Sequence, residues 1–143
     1  MKKKFRCDCP ITTAIDVIGD KWTLVLIKQM LLEGKETFKD FTDSKEAIAT
    51  NILTSRMKNL IRLNLVSKRK LPANKKSVYY HLTEKGLSMA PIIIELALWA
   101  DEILKPLNNS MLEPKKMGLN QLNKEEYISN LVQNYKRKLP KIE

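Results

Sequence analysis

Cys7 and Cys9 are the residues of this chain best suited to covalent chemistry. The thiolate is the nucleophilic form of cysteine, and a helix start or nearby cations lower the pKa that governs it. Cys9 precedes Pro10 at the expected first turn of a helix, and Lys2, Lys3, Lys4 and Arg6 lie close by, with Asp8 opposing them. The chemistry expected is reaction with an oxidant or electrophile, at Cys9 before Cys7. The plainer reading of Cys9 is a half-buried thiol with no sensing role. Other chemistry is poorly supplied. A Cys-x-Cys spacing is not the usual pair spacing of zinc sites, and His81 alone could add an imidazole, so no metal is expected. With a single His, no nucleophile–base pattern, no phosphate-binding Gly loop and no paired-carboxylate spacing, neither catalysis nor a cofactor is expected.

The second source of chemistry is charge. The chain has 143 residues, with 26 Lys/Arg against 16 Asp/Glu, a formal net charge of +10. From Ala47 to Thr83 there is no acidic residue, while Arg56, Lys58, Arg62, Lys68, Arg69, Lys70, Lys75 and Lys76 all fall there. The remainder of the chain is nearly balanced. A localised basic stretch is the electrostatic footprint of a polyanion binder, whereas Lys placed for solubility would be spread more evenly.

The elements that must position these groups follow from apolar spacing. At 43% hydrophobic residues the chain can build one domain core with an appendage. Ile11, Ala14, Ile15 and Ile18 predict a helix over Pro10 to Ile18, stopped at Gly19. Asp20 caps a second, mostly apolar helix that carries Trp22 and ends at Gly34. Thr37 opens a short helix with Phe38 and Phe41, and a polar turn follows. Thr50 to Leu63 reads as a helix with Leu53, Met57 and Leu60 inward and polar residues outward, closed by Asn64 in a left-handed cap. Val66 to Leu71 and Ser77 to Leu82 predict two strands joined by Pro72 to Lys76, a hairpin with a basic tip. Thr83 opens a long helix to about Leu104, kinked or restarted at Pro91. That helix is apolar on more than one face, so one face needs a further partner, most simply a second subunit. Leu104 to Leu122 reads as an arm, and Asn123 to Glu126 as a capping box for a final helix. Trp22 and Trp99 are expected in the core. No apolar run reaches the ~20 residues of a transmembrane helix, and no apolar segment follows the basic N-terminus. A cytoplasmic protein with free thiols is expected.

The fold class is therefore mainly α with a small β-hairpin, in the element order of a winged helix-turn-helix. Residues 1–104 would form that domain with its dimerisation helix, and residues 105–143 a linker and C-terminal helix. The major groove of B-DNA, about 12 Å wide, admits one helix that is polar on its outer face. Thr50, Asn51, Thr54, Ser55, Arg56, Lys58, Asn59 and Arg62 are the candidate contacts from that helix, and Lys70, Lys75 and Lys76 those from the hairpin. Arg56 points between the two faces and could instead tie down the domain. Double-stranded DNA is the expected partner; a winged-helix module that binds a protein partner or RNA is the alternative.

Several segments, in order, also resemble the HxlR-type bacterial transcription regulators, over roughly Cys9 to Glu102. They are Cys9-Pro10, Gly19-Asp20-Lys21-Trp22-Thr23, Thr37 to Phe41, Leu53 to Leu60, Val78 to Gly86, and the positions of Pro91 and Trp99. The resemblance implies a homodimer on a roughly palindromic operator, acting as repressor or activator, frequently responding to oxidants or electrophiles through the cysteine of the Cys-Pro pair. The chain departs from the pattern at Ala49, where a Ser cap is frequent, at Asn64, where Gly is usual, in the extra Cys7, and in a longer tail.

Overall fold

The computed structural model describes residues 5–140. Helix α1 spans Pro10–Ile18 and α2 spans Lys21–Glu33. Asp20 caps α2 by accepting from the Trp22 amide at 3.2 Å. Gly34 ends it with φ 66°, a left-handed conformation that costs glycine nothing. The α2 side chains Leu26, Ile27 and Met30 are fully buried, so α2 is the centre of the core. Helix α3 spans Phe38–Thr42 and begins with a reciprocal capping box between Thr37 and Asp40. It delivers Phe41 to the core.

Helix α4 spans Thr50–Arg62 and buries Leu53, Met57 and Leu60 completely. Its N-cap is Ala49, with no side-chain cap bond, and Thr50 does not take over the role. Such a missing cap forgoes about 0.5–2 kcal/mol. Asn64 closes the helix at φ 61°, as its position in the sequence predicts. Two antiparallel strands follow, β1 (Val66–Leu71) and β2 (Asn74–Leu82). The register runs from Val66 opposite Leu82 to Lys70 opposite Val78, then shifts so that Leu71 faces Asn74. The turn is thus Pro72-Ala73 alone. Lys75 and Lys76 belong to a bulged β2, not to the five-residue loop expected from sequence. Asn74 holds the bulge, accepting from the Lys76 amide and donating to Ser77 Oγ, both at 3.2 Å.

The helical stretch expected from Thr83 restarts at Pro91, as its sequence predicts, and so forms two helices, α5 (Glu84–Leu87) and α6 (Ala90–Trp99). Thr83 caps α5, and Pro91 sits in the first turn of α6, where it lacks no needed hydrogen bond. Gly86 makes the turn possible, since a Cβ there would lie 2.1 Å from the Leu65 carbonyl oxygen. A π-helical turn, Ala100–Leu104, continues α6. Short 3₁₀ turns at Lys105–Leu107 and Pro114–Met117 lead to α7, Lys124–Lys138. The expected capping box at Asn123 does not form: Asn123 Oδ1 instead accepts from the Asn120 amide at 2.9 Å. Helix α7 packs Ile128, Leu131, Val132 and Tyr135 against the main core. Leu119, from the arm, is buried with Ile94 and Leu98 of α6.

This is a mainly helical winged helix-turn-helix. Trp22 is half-buried against the core, as expected. Trp99 is not in the core; it is 54% exposed. It shares its face of α6 and the π turn with the exposed Ile92, Leu96 and Ile103, at the three- and four-residue spacings that align on one helix side. No helix of the described residues is long and apolar enough to cross a membrane.

Candidate nucleic-acid interface

Two elements present the acid-free stretch to solvent. Burying Leu53, Met57 and Leu60 turns the opposite side of α4 outward. Thr50, Asn51, Thr54, Ser55, Lys58 and Arg62 are exposed there, with Asn59 and Arg56 half-exposed at the flanks. Arg62 donates to Asn59 Oδ1 at 2.6 Å, and the Thr54 hydroxyl donates back to the Thr50 carbonyl at 2.9 Å. On the wing, Lys68 and Lys70 project from alternate positions of β1, and Lys75 and Lys76 from the bulge of β2; all four are exposed.

Two clefts flank α4, and the second joins it to the wing. One, of about 490 Å³, lies between α4 and the α1–α2 junction, bounded by Ser55, Arg56, Lys58, Asn59 and Arg62 on one side and Asp16, Val17, Asp20 and Thr23 on the other. The second, of about 310 Å³, lies between α4 and the wing and is lined by Thr54, Met57, Lys58, Ile61, Lys68, Tyr80 and Phe38. Lys58 borders both. Lys68 joins the α4 candidates in the second cleft. Its place in a strand register, which sequence alone leaves open, is what puts it there.

Arg56 ties two elements together. Its Nε is ion-paired with Asp20, and its Nη1 donates to Ser55 Oγ at 3.2 Å. Burial acts to raise the Asp20 pKa, but the Arg56 hydrogen bond and charge, the Trp22 amide and the Thr23 hydroxyl together hold it below the usual carboxylate value. The ion pair ties α4 to the start of α2.

The base of the wing is held by buried polar contacts. His81 is 5% exposed, and its Nε2 lies 2.8 Å from Glu36 Oε2. The Tyr80 amide donates to the Glu36 carbonyl at 2.8 Å. His81 is thus a wing-strand residue. Among the described residues no group of three or more His, Cys, Asp and Glu is arranged to hold a metal ion.

Cys9 is the N-cap residue of α1 and half-exposed; Cys7 is exposed, and both are free. No capping bond is closed at Cys9, yet its thiol pKa is pulled below the ordinary value. The cause is the Thr12 amide, then the Thr12 hydroxyl and the Ile11 amide, against a small opposing effect of burial. The cations expected to act there do not account for the shift. Arg6 is paired with Asp16 at 2.8 Å, and Lys2, Lys3 and Lys4 lie outside the described residues.

A family model described as an HxlR-like helix-turn-helix matches residues 17–108. The chain belongs to the HxlR-like helix-turn-helix family. A curated relative, the HTH-type transcriptional regulator YodB of Bacillus subtilis (strain 168), is 31% identical over 99 residues, which are 68% of this chain and 88% of YodB. The solved structure of reduced YodB superposes with a TM-score of 0.56 at 32% identity, covering 70% of this chain and 98% of that one. The redox regulator HypR in its reduced form gives a TM-score of 0.61 at 28% identity, over 71% and 99% of the two chains. The HxlR-like match takes in α2 through α6 and the wing, and it ends before α7.

Proposed function

We propose that this chain is a DNA-binding transcription regulator that grips a palindromic operator as a homodimer. The observation that carries the reading is the continuity of polar and basic side chains from the outer face of α4, across the cleft at Lys58 and Lys68, onto the wing. That face has the shape and polarity the major groove requires. Thr50, Asn51, Thr54, Ser55, Lys58, Asn59 and Arg62 are the contacts to base edges and phosphates, and Lys68, Lys70, Lys75 and Lys76 those to the backbone. Arg56 positions α4 instead. The exposed row Ile92, Leu96, Trp99 and Ile103, with Ile11 and Ile15 of α1 at 70% and 59% exposure, is the surface for the second copy. The operator-binding and dimerising parts lie within residues 1–104, with residues 105–143 added outside them. The protein acts on DNA in the cytoplasm and not as a catalyst.

Selection from a random pool of duplexes tests this reading. The expected product is an inverted repeat with half-sites centred ~34–36 Å apart. A pool that stays unenriched contradicts it.

The lowered thiol pKa of Cys9 favours a second, regulatory element: Cys9, with Cys7 beside it, senses an oxidant or small electrophile. Titrating the selected operator before and after diamide or quinone treatment tests it. Wild type should change affinity and Cys9→Ser should not; an equal response in both would remove the sensing role.

A further inference from the structure

The outer edge of β2 has amides that β1 does not satisfy. In an antiparallel pair, alternate N–H groups of an edge strand point away from the partner. Tyr80 and Leu82 are two such positions, and each is captured by a different element. The Tyr80 amide goes to the Glu36 carbonyl, within the HxlR-like module. The Leu82 amide donates to the Tyr135 hydroxyl at 2.8 Å. Tyr135 is on α7, beyond the end of the family match.

Helix α7 is seated firmly enough to serve as an anchor. Ile128, Leu131 and Val132 pack on the core. Lys124 Nζ lies 2.7 Å from Glu95 Oε1 of α6, and Lys136 Nζ lies 2.8 Å from Glu84 Oε1, two residues past the wing. Tyr135 is partly buried where it meets the Leu82 backbone. Its hydroxyl pKa is raised, mainly by burial, so it remains a neutral hydrogen-bonding group.

We propose that Tyr135 is a positioning residue that braces the base of the wing and sets where the wing lysines fall on DNA. The inference rests on the DNA-binding reading given above. The lever is long. From Leu82 to Asn74 the strand extends roughly 26 Å at ~3.3 Å per residue, so a tilt of about 5° at the base moves the tip about 2 Å. That displacement is enough to break a phosphate contact made by Lys75 or Lys76.

The test compares the full-length wild type with Tyr135→Phe, which keeps the ring and removes the acceptor. Affinity for a labelled mixed-sequence duplex of about three helical turns is measured across salt concentrations. Each phosphate neutralised contributes about −0.9 to the slope of log K against log salt. Tyr135→Phe should flatten the slope by about one to two units, and Lys75→Gln/Lys76→Gln should weaken binding in wild type far more than in Tyr135→Phe. A core-filling role for Tyr135 would lower the folded fraction and leave the slope intact. A wild-type slope in Tyr135→Phe, with the lysine effect undiminished, overturns the brace. Absence of duplex binding by the wild type overturns the DNA-binding reading itself. Amide exchange of the wild type supplies a measurement that needs no variant: Leu82 should exchange as slowly as the ladder amides of β1, and rapid exchange at Leu82 contradicts the proposal.

Discussion

Arg56, in the middle of α4, is ion-paired with Asp20, the residue that caps α2. The pair joins the two helices whose relative angle sets how α4 is presented. Asp20 performs two jobs, since it also accepts from the Trp22 amide and the Thr23 hydroxyl. Asp20→Ala should therefore cost about 1–2 kcal/mol, the range of a lost N-cap with a small addition for the ion pair. Arg56→Ala should cost less, because both side chains are about one-third exposed (34% and 33%) and solvent screens them. A double-mutant cycle by denaturant unfolding checks this: the double variant should be less destabilised than the sum of the single ones. The Asp20 carboxyl has a lower pKa folded than unfolded. Its contribution is accordingly present above about pH 4 and lost as pH falls through the folded value.

Cys9 should alkylate as a thiolate at a lower pH than an ordinary thiol. In a Cys7→Ser background, the iodoacetamide rate should reach half its maximum below about pH 8.5. Thr12→Val should move that midpoint upward, because the Thr12 hydroxyl is one of the groups favouring the thiolate. A midpoint unaffected by Thr12→Val would show that the start of α1 does not control Cys9.

Ala47, in the turn between α3 and α4, has φ 55°, a conformation that a Cβ disfavours. Replacement by Gly relieves that strain but loosens the unfolded chain. The first effect should win, giving about 0.5–1 kcal/mol of added stability. Thermal unfolding of Ala47→Gly decides the sign, and a lowered melting temperature would mean that the turn is not strained at Ala47.

The exposed row on α6 should hold two copies together. Leu96→Asp and Trp99→Asp put charge where the surface is apolar, so sedimentation should shift from dimer toward monomer while the helical circular dichroism is kept. Operator affinity should fall with it, because each half-site then binds alone. A dimer undisturbed by both variants would place the interface elsewhere.

Much of this architecture is legible in the sequence, because local chemistry specifies it. Pro10, Asp20, Gly34 and Asn64 mark helix ends through their own backbone preferences, and the inward face of α4 follows from the spacing of Leu53, Met57 and Leu60. What stays hidden depends on partners distant in sequence. Arg56 finds Asp20 across 36 residues, and Leu82 finds Tyr135 across 53. The true hairpin turn depends on a bulge stabilised by Asn74, which residue pattern does not register. Trp99 misleads for a related reason: a large apolar side chain predicts burial, but its place on the outer side of α6, set by how that helix packs, leaves it 54% exposed.

Whether α4 and the wing together bind duplex DNA is decided by one salt titration. Anisotropy of a labelled duplex is followed for wild type, Lys58→Glu and Lys75→Glu. Wild-type log K should fall linearly with log salt by about 0.9 per phosphate neutralised, and either charge reversal should abolish binding or sharply weaken it. Wild-type affinity that is indifferent to salt, or affinity preserved in both reversals, would contradict it.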